Sequence, residues 1–379
     1  MVASVALYIH VPWCIKKCPY CDFNSHAKSD VLPEAAYLAA LLRDFDAELD
    51  WYGQRPVLAS IFIGGGTPSL LSAGFYRQLL GAIGARVSLA SALEITLEAN
   101  PGTVDSANFE GFRQAGIDRL SIGVQSFNHE SLQALGRVHG PDEARRAFAR
   151  ARAAGFDNIN IDLMHGLPGQ EAVLALADLQ QAIDLDPEHL SWYQLTIEPN
   201  TAFYSSPPRL PAEQTLHDIQ DRGNELLAAA GFAQYEVSAY ARNEKYALHN
   251  LNYWHFGDYM GIGAGAHGKL LRGGEMYRRW KTRMPESYMQ ATDTQQLAGQ
   301  KRISAEEMPV EFMMNALRLK HGFRAAEYAE RTGQPPESIA ATVESLCARA
   351  LLEKCGDRIT TTATGWRFLN DVVAAFLPD

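Results

Sequence analysis

Two rhythms of hydrophobic and polar positions alternate along this chain. Short β-branched or apolar runs at residues 7–11, 60–63, 93–97, 119–124, 158–163 and 189–196 each stop at a polar or glycine-rich turn, the pattern of buried strands. Between them apolar residues recur at helical spacing, as Leu38, Leu41, Leu42, Phe45 and Leu49 do, and again Leu176, Leu179 and Ile183. Another helix is predicted to start at Pro141, with Asp142 and Glu143 in its first turn, and to stop at Gly155. Acidic side chains complement a helix N-terminus, and glycine readily leaves the helical conformation at its end. Strand then helix, six times over, predicts an α/β fold with a parallel sheet, an open partial barrel too short to close on eight strands.

From about residue 231 the rhythm changes. One more strand is expected over 234–240, followed by HNLNYW (249–254) and the glycine-rich GIGAGAHGK (261–269). From about 303, two or three helical patterns precede a short apolar hairpin and an amphipathic helix, which predicts a small winged-helix-like α+β domain. The chain thus divides into a barrel at 1–230, an extension at 231–302 and a C-terminal domain at 303–379.

Composition narrows the partners. Hydrophobic residues make up 47% and charged residues 21%, with 16 Phe, 15 Tyr and 6 Trp, so disorder and low-complexity architectures are excluded. The net charge is −10 and no Lys/Arg block stands out, so nucleic acid is not an expected partner; the winged-helix segment reads as a packing or docking module. The first residues lack a basic region and a cleavage site, and no apolar run approaches the roughly 18 residues of a membrane span. A cytoplasmic location is expected. Three of five cysteines fall within eight positions, which argues for metal over disulfides.

Loops after parallel strands converge at the strands' C-terminal ends, and the unusual residues of this chain sit there. Cys14, Cys18 and Cys21 follow the first strand, Gly64 to Pro68 the second, Glu98 to Pro101 the third, Gln125 to Phe127 the fourth, and Asp162 with HGLPG the fifth. The C-x3-C-x2-C spacing suits three thiolates on one face of a four-iron cube, leaving one iron without a protein ligand. Zinc is the rival, and would need a distant fourth ligand. Gly64, Gly65 and Gly66 let a ligand lie against bare backbone, although a tight turn explains three glycines as well. Beside the cysteines they suit S-adenosylmethionine chelated to the open iron. Glu98 could accept from its ribose, or be a solvated strand end.

The segments LYIHVPWCIKKCPYCDF, IFIGGGTP, ITLEANPGT, LSIGVQSF, LGRVHG, NIDLMHGLPGQ and HNLNYW together resemble the radical S-adenosylmethionine family around oxygen-independent coproporphyrinogen III dehydrogenase. Within it they are most similar to the HemW group of heme chaperones. The resemblance covers most of the chain, including its C-terminal domain, and implies a three-quarter (β/α)6 TIM-like barrel. It makes Cys14, Cys18 and Cys21 the ligands of a [4Fe-4S] cluster. Tyr8, Tyr20, Gly65 and Glu98 would contact S-adenosylmethionine, and Gly66, Thr67, Gln125, Arg137 and Asp162 match positions that hold a second molecule in the dehydrogenase. Arg137 suits a carboxylate through its fork, and Asp162 an ammonium or hydroxyl. An Arg137–Asp162 ion pair across the cavity mouth is the structural alternative.

Two departures from the dehydrogenase count against decarboxylation. Its motif continues with a cysteine where this chain has Phe23, and this chain begins directly at the first strand, without the N-terminal extension. HNLNYW resembles the HNxxYW signature of the HemW group, which makes His249 the expected heme ligand, flanked by Tyr253 and Trp254. Without the resemblance, a histidine beside aromatics reads as packed core. His267 is the second candidate, and Cys347 and Cys355 read as buried small hydrophobes. The resemblance implies delivery of heme to an acceptor heme protein, a respiratory enzyme at the membrane, with peripheral membrane contact during delivery. The alternative is radical decarboxylation of coproporphyrinogen III. An unrelated radical substrate is a third reading. Homodimerisation, the number of S-adenosylmethionine molecules and their cleavage are left open.

Overall fold

The computed structural model describes residues 4–28, 31–103 and 106–378. Strands β1 (Ser4–Val11), β2 (Val57–Gly65), β3 (Ser88–Ala99), β4 (Arg119–Gln125), β5 (Ile159–His165) and β6 (His189–Gln194) pair parallel in chain order. Helices α1 (Glu34–Tyr52), α2 (Ala73–Gly84), α3 (Ser106–Gln114), α4 (Pro141–Ala153) and α5 (Ala172–Asp184) return between them. All six predicted strands are present, and this is the expected partial barrel.

The outer face of the sheet is apolar: Leu7, Ile9 and Val11 of β1 and Leu120, Ile122 and Val124 of β4 are fully buried together with Tyr37, Leu41 and Phe45 of α1. Their alternates point the other way and are polar, Tyr8 and His10, Ser121 and Gln125, Asn160 and Asp162. Period two therefore sorts the strands into a helix-covered face and a polar barrel interior. Helix α4 starts and stops where predicted. Glu143 accepts from the Gly140 N–H at 2.7 Å, and Gly155 follows the helix at φ +86°, the left-handed stop that glycine adopts without strain.

After α6 (Glu213–Ala229), the strand expected over 234–240 is instead two, β7 (Ala233–Glu236) and β8 (Ala239–Ala241), an antiparallel pair added beside β6. The short helix α7 (Leu248–Trp254) carries HNLNYW. The chain then returns to the opposite edge, where β9 (Tyr259–Ile262) pairs parallel with β1, followed by antiparallel β10 (His267–Arg272), β11 (Glu275–Lys281) and β12 (Leu297–Arg302). One sheet of twelve strands results. Buried charge fastens this edge to α1: Lys281 Nζ lies 2.5 Å from both Asp44 and Glu48, Arg279 also reaches Glu48, and Asp44 accepts from the Tyr288 hydroxyl at 2.6 Å and the Gly263 N–H at 3.1 Å.

The C-terminal segment runs α8 (Met308–Ala316), β13 (Phe323–Arg324), α9 (Ala325–Thr332), α10 (Glu337–Ala348), β14 (Leu352–Cys355) and β15 (Arg358–Thr361), the winged-helix order. Its core gathers Phe312, Tyr328, Val343 and Val372 together with Phe256 and Met276 of the preceding extension. It meets the barrel through Arg318, which pairs with Glu236 at 3.0 Å and lies over the Trp254 ring at 4.3 Å. Cys347 packs half-buried on that core, but Cys355 is exposed, because it ends a two-stranded wing with no layer above it. Among the described residues no helix is long and apolar enough to cross a membrane.

Candidate functional site

A cavity of about 380 Å³ opens at the C-terminal ends of the barrel strands, and Cys14, Cys18 and Cys21 line one wall of it. Tyr20, Gly65, Gly66, Thr67, Glu98, Gln125, Arg137 and Asp162 line the remainder. Of the residues expected from sequence, Gly64, Tyr8, His249 and His267 are not in its lining: Tyr8 lies beneath the cavity and His249 deeper still.

The cysteine segment is held at both ends. Trp13–Cys14 pairs with His26–Ala27 as a two-residue parallel ladder, and the Cys21 N–H turns back to the Cys18 carbonyl at 3.2 Å. Gly66 and Thr67 donate their N–H groups to the carbonyls of Val11 and Trp13, each at 2.7 Å. A Cβ on Gly66 would sit 2.5 Å from the Trp13 carbonyl oxygen, and one on Gly65, at φ +113°, 2.5 Å from the His10 ring. These two glycines let the second strand's loop close against the cysteine segment, a steric demand beyond that of a tight turn. Burial pushes the Cys14 and Cys21 thiols up.

Arg137 reaches across the cavity. Its Nη2 donates to the Gly123 carbonyl at 2.6 Å, its Nη1 lies 3.8 Å from Cys18 Sγ, and its buried Nε has no partner among the described residues. Asp162 is held separately, by the Ser121 hydroxyl and the Asn160 amide, each at 2.8 Å. Among the described residues the two make no ion pair, so the structural alternative for them is not realised. Glu98 accepts from the Gly65 N–H at 3.1 Å. It is half-buried on the cavity wall, and burial, and after it the Asp162 charge, pushes its carboxyl up to about 8. Gln125 ends β4 at φ +68°, a left-handed conformation costing on the order of 1 kcal/mol in a non-glycine residue. Tyr20 packs on Leu135, Met164 and Phe203, and burial holds its phenol protonated.

Beneath the cavity, the Tyr8 hydroxyl donates to His10 Nδ1 at 2.9 Å, and His10 Nε2 donates to the Asn24 carbonyl at 2.8 Å. A carbonyl only accepts, which fixes the tautomer, and burial first of all keeps the ring neutral, its pKa lowered to about 4. Sequence reading passed over His10, which lies within the quoted cysteine motif, and Asn24, which directly follows it. Their signal was the inward phase of Tyr8 and His10 on β1.

His249 sits in the barrel interior at 0% exposure. Its Nδ1 faces the Ser60 hydroxyl at 3.0 Å and its Nε2 the Tyr253 hydroxyl at 2.8 Å, with the Phe62 ring 5.2 Å away. Glu94 caps the start of α7 by accepting from the Leu248 N–H at 3.0 Å. Both ring nitrogens of His249 thus face protein hydroxyls, and the side chain is sealed from solvent.

The site fits the groups expected of it. Three thiols share one cavity wall, without closing among the described residues into a metal cage of their own, and the Arg137 guanidinium reaches them through Nη1.

Residues 8–177 match the model of the Radical SAM superfamily, and residues 303–368 that of the HemN C-terminal domain. The heme chaperone HemW of Escherichia coli K12 is 49% identical over 99% of this chain and 98% of its own length. HemW of Bacillus subtilis is 34% identical, covering 98% of each. Among solved structures, the coproporphyrinogen III oxidase HemN of Escherichia coli superposes with a TM-score of 0.82 over 99% of this chain and 90% of its own, at 22% identity, a likeness of fold.

Proposed function

The chain belongs to the Radical SAM superfamily and, within it, to the family of the heme chaperone HemW, and from that premise we propose that it carries heme and hands it to acceptor heme proteins. The observation that carries this reading is the end-to-end similarity to HemW at 49% identity. Position 23 agrees with it: Phe23 is 57% exposed at the cavity rim, where the dehydrogenase motif continues with a cysteine.

Cys14, Cys18 and Cys21 are assigned to a [4Fe-4S] cluster, which when bound supplies one iron open to the amino and carboxylate groups of S-adenosylmethionine. Arg137, whose Nη1 lies toward Cys18, would hold that carboxylate or a second one through its guanidinium. Glu98, kept largely protonated near neutral pH by burial, can donate to or accept from a hydroxyl. Asp162, braced by Ser121 and Asn160, presents a fixed acceptor on the opposite wall. Gly65 and Gly66 hold the backbone close. His249 is assigned to the barrel floor, where it ties α7 to β2. Residues 1–230 would form the cofactor-binding unit, 231–302 its edge extension and 303–379 the docking domain, whose acceptor is a heme enzyme at a membrane.

The test is incubation of the anaerobically reconstituted protein with hemin, and in parallel with reductant, S-adenosylmethionine and coproporphyrinogen III. A shifted Soret band without protoporphyrinogen IX is expected. Turnover to protoporphyrinogen IX would replace the chaperone reading with the decarboxylase one.

A further inference from the structure

The inference rests on the heme-carrying reading and concerns where heme is held. A cargo that must be handed on needs an iron ligand reachable from outside, and an exposed imidazole meets that need without any part of the fold opening. His267 opens β10 and is exposed, and neither of its ring nitrogens is hydrogen-bonded among the described residues. His249, with both nitrogens engaged at 0% exposure, is its opposite.

His267 is singled out from the exposed His129, His217 and His321 by its surroundings. Asn24, two residues before His26, stitches the end of the cysteine segment to the turns that flank β10 and β11. Its amide donates to the carbonyls of Ala264 at 2.9 Å and Arg283 at 2.8 Å, and its Oδ1 lies 3.4 Å from Arg283 Nε and 3.3 Å from His26 Nε2. The stitch is tight: a Cβ on Gly265, two residues before His267, would meet the Asn24 amide nitrogen at 2.3 Å. It places two exposed apolar side chains next to the joined residues, Phe23 at 57% and Met284 at 52% exposure. Cations border them, Arg283 itself and Lys17, whose Nζ donates to the Phe23 carbonyl at 3.2 Å.

We propose that heme docks on this outer patch, with His267 as the axial ligand, Phe23 and Met284 against the macrocycle, and Arg283 and Lys17 toward the propionates. The chemistry matches part by part: an iron takes an imidazole nitrogen, an apolar ring takes apolar side chains, and two carboxylates take cations. Partial burial first, and then the charges of Arg278 and Arg283, lower the His267 pKa, so its lone pair is free at neutral pH. Phe23, which replaces the extra cysteine of the dehydrogenase motif, thereby acquires a use.

The experiment is hemin titration of the full chain followed at the Soret band, for wild type, His267→Ala, Arg283→Ala and His249→Ala, with far-UV circular dichroism of each. His267→Ala should bind hemin at least about tenfold more weakly with an altered Soret position, free imidazole should restore the wild-type spectrum, and Arg283→Ala should weaken binding with the Soret position unchanged. His267→Ala with wild-type affinity and spectrum overturns the site, as does a folded His249→Ala that alone loses the shifted band. A wild-type protein that shows no shifted Soret band at all removes the heme-carrying reading itself, and the two failures are thereby told apart.

Discussion

The Arg137 guanidinium lies between the Gly123 carbonyl, which accepts from Nη2 at 2.6 Å, and Cys18, whose Sγ is 3.8 Å from Nη1. The fourth β-strand and the cysteine segment are thus joined through one side chain whose buried Nε has no partner among the described residues. A charge-assisted hydrogen bond contributes about 1.5–3 kcal/mol, so Arg137→Ala should weaken S-adenosylmethionine binding by about 10- to 100-fold while iron content is retained. Arg137→Lys should recover only part of the loss, because a point charge replaces the fork. Isothermal titration of reconstituted variants measures both, and equal affinity in all three proteins would contradict the assignment.

The three clustered thiols should hold about four irons per chain after anaerobic reconstitution. Cys14→Ala, Cys18→Ala and Cys21→Ala should each lose them. Cys347→Ala and Cys355→Ala, in the C-terminal domain, should not. Iron and sulfide analysis decides, and stoichiometric zinc without iron would contradict the cluster.

Acid should reveal His249. Its pKa is lowered by burial to about 3, whereas in the unfolded chain it titrates near 6.5. The unfolded state therefore takes up a proton as pH falls below about 6.5 while the native state does not until about 3, and stability present above that window is lost within it. The slope is about 1.4 kcal/mol per pH unit. His249→Gln should remove that increment of slope from urea-unfolding stabilities between pH 6 and 4. An unchanged slope would show that the histidine is not sealed.

Glu98 runs the other way. Its carboxyl is raised to about 8 by burial and by Asp162, so the native state keeps a proton that the unfolded chain releases near 4.5. Stability contributed by Glu98 is full below that lower value and is lost as pH rises toward 8. Glu98→Gln should match wild type at pH 5 and exceed it in stability at pH 8.5, read from the same urea curves. Wild-type behaviour at both pH values would place Glu98 in water.

Much of this molecule is legible in its apolar pattern, and the polar part shows where legibility stops. The runs around Leu7, Ile61, Leu97, Leu120, Ile161 and Leu190 mark six strands because helices cover one face of each. The residues between them, Tyr8, Ser121, Asn160 and Asp162, gain meaning only when the sheet curls and its second face becomes an interior. Cysteine spacing identified one wall of the cavity. The His10–Asn24 link and the His249–Ser60 contact, which joins residues 189 positions apart, depend on register and on the path of the later chain. Likewise, α1 reads as an amphipathic helix, but Asp44 and Glu48 on its buried side make sense only against Arg279 and Lys281 of a distant strand.

That ion cluster is itself testable. Lys281 answers two carboxylates in a nearly dry site; without it Glu48 still faces Arg279, but Asp44 keeps only neutral donors, a loss of about 3–5 kcal/mol. Lys281→Met should lower the urea midpoint accordingly and loosen the edge strands, seen as faster amide exchange over 259–302. Stability within 1 kcal/mol of wild type would mean that water replaces the missing charge.

The heme-chaperone account stands or falls most directly on transfer. Heme-loaded protein, freed of excess hemin, is mixed with an apo-hemoprotein acceptor while the Soret band of each is followed. The account predicts that the carrier's band declines as the acceptor's holo band rises in equal amount, faster than heme leaves the carrier for buffer alone. Heme that stays on the carrier, or reaches the acceptor no faster than it is lost to buffer, would contradict it.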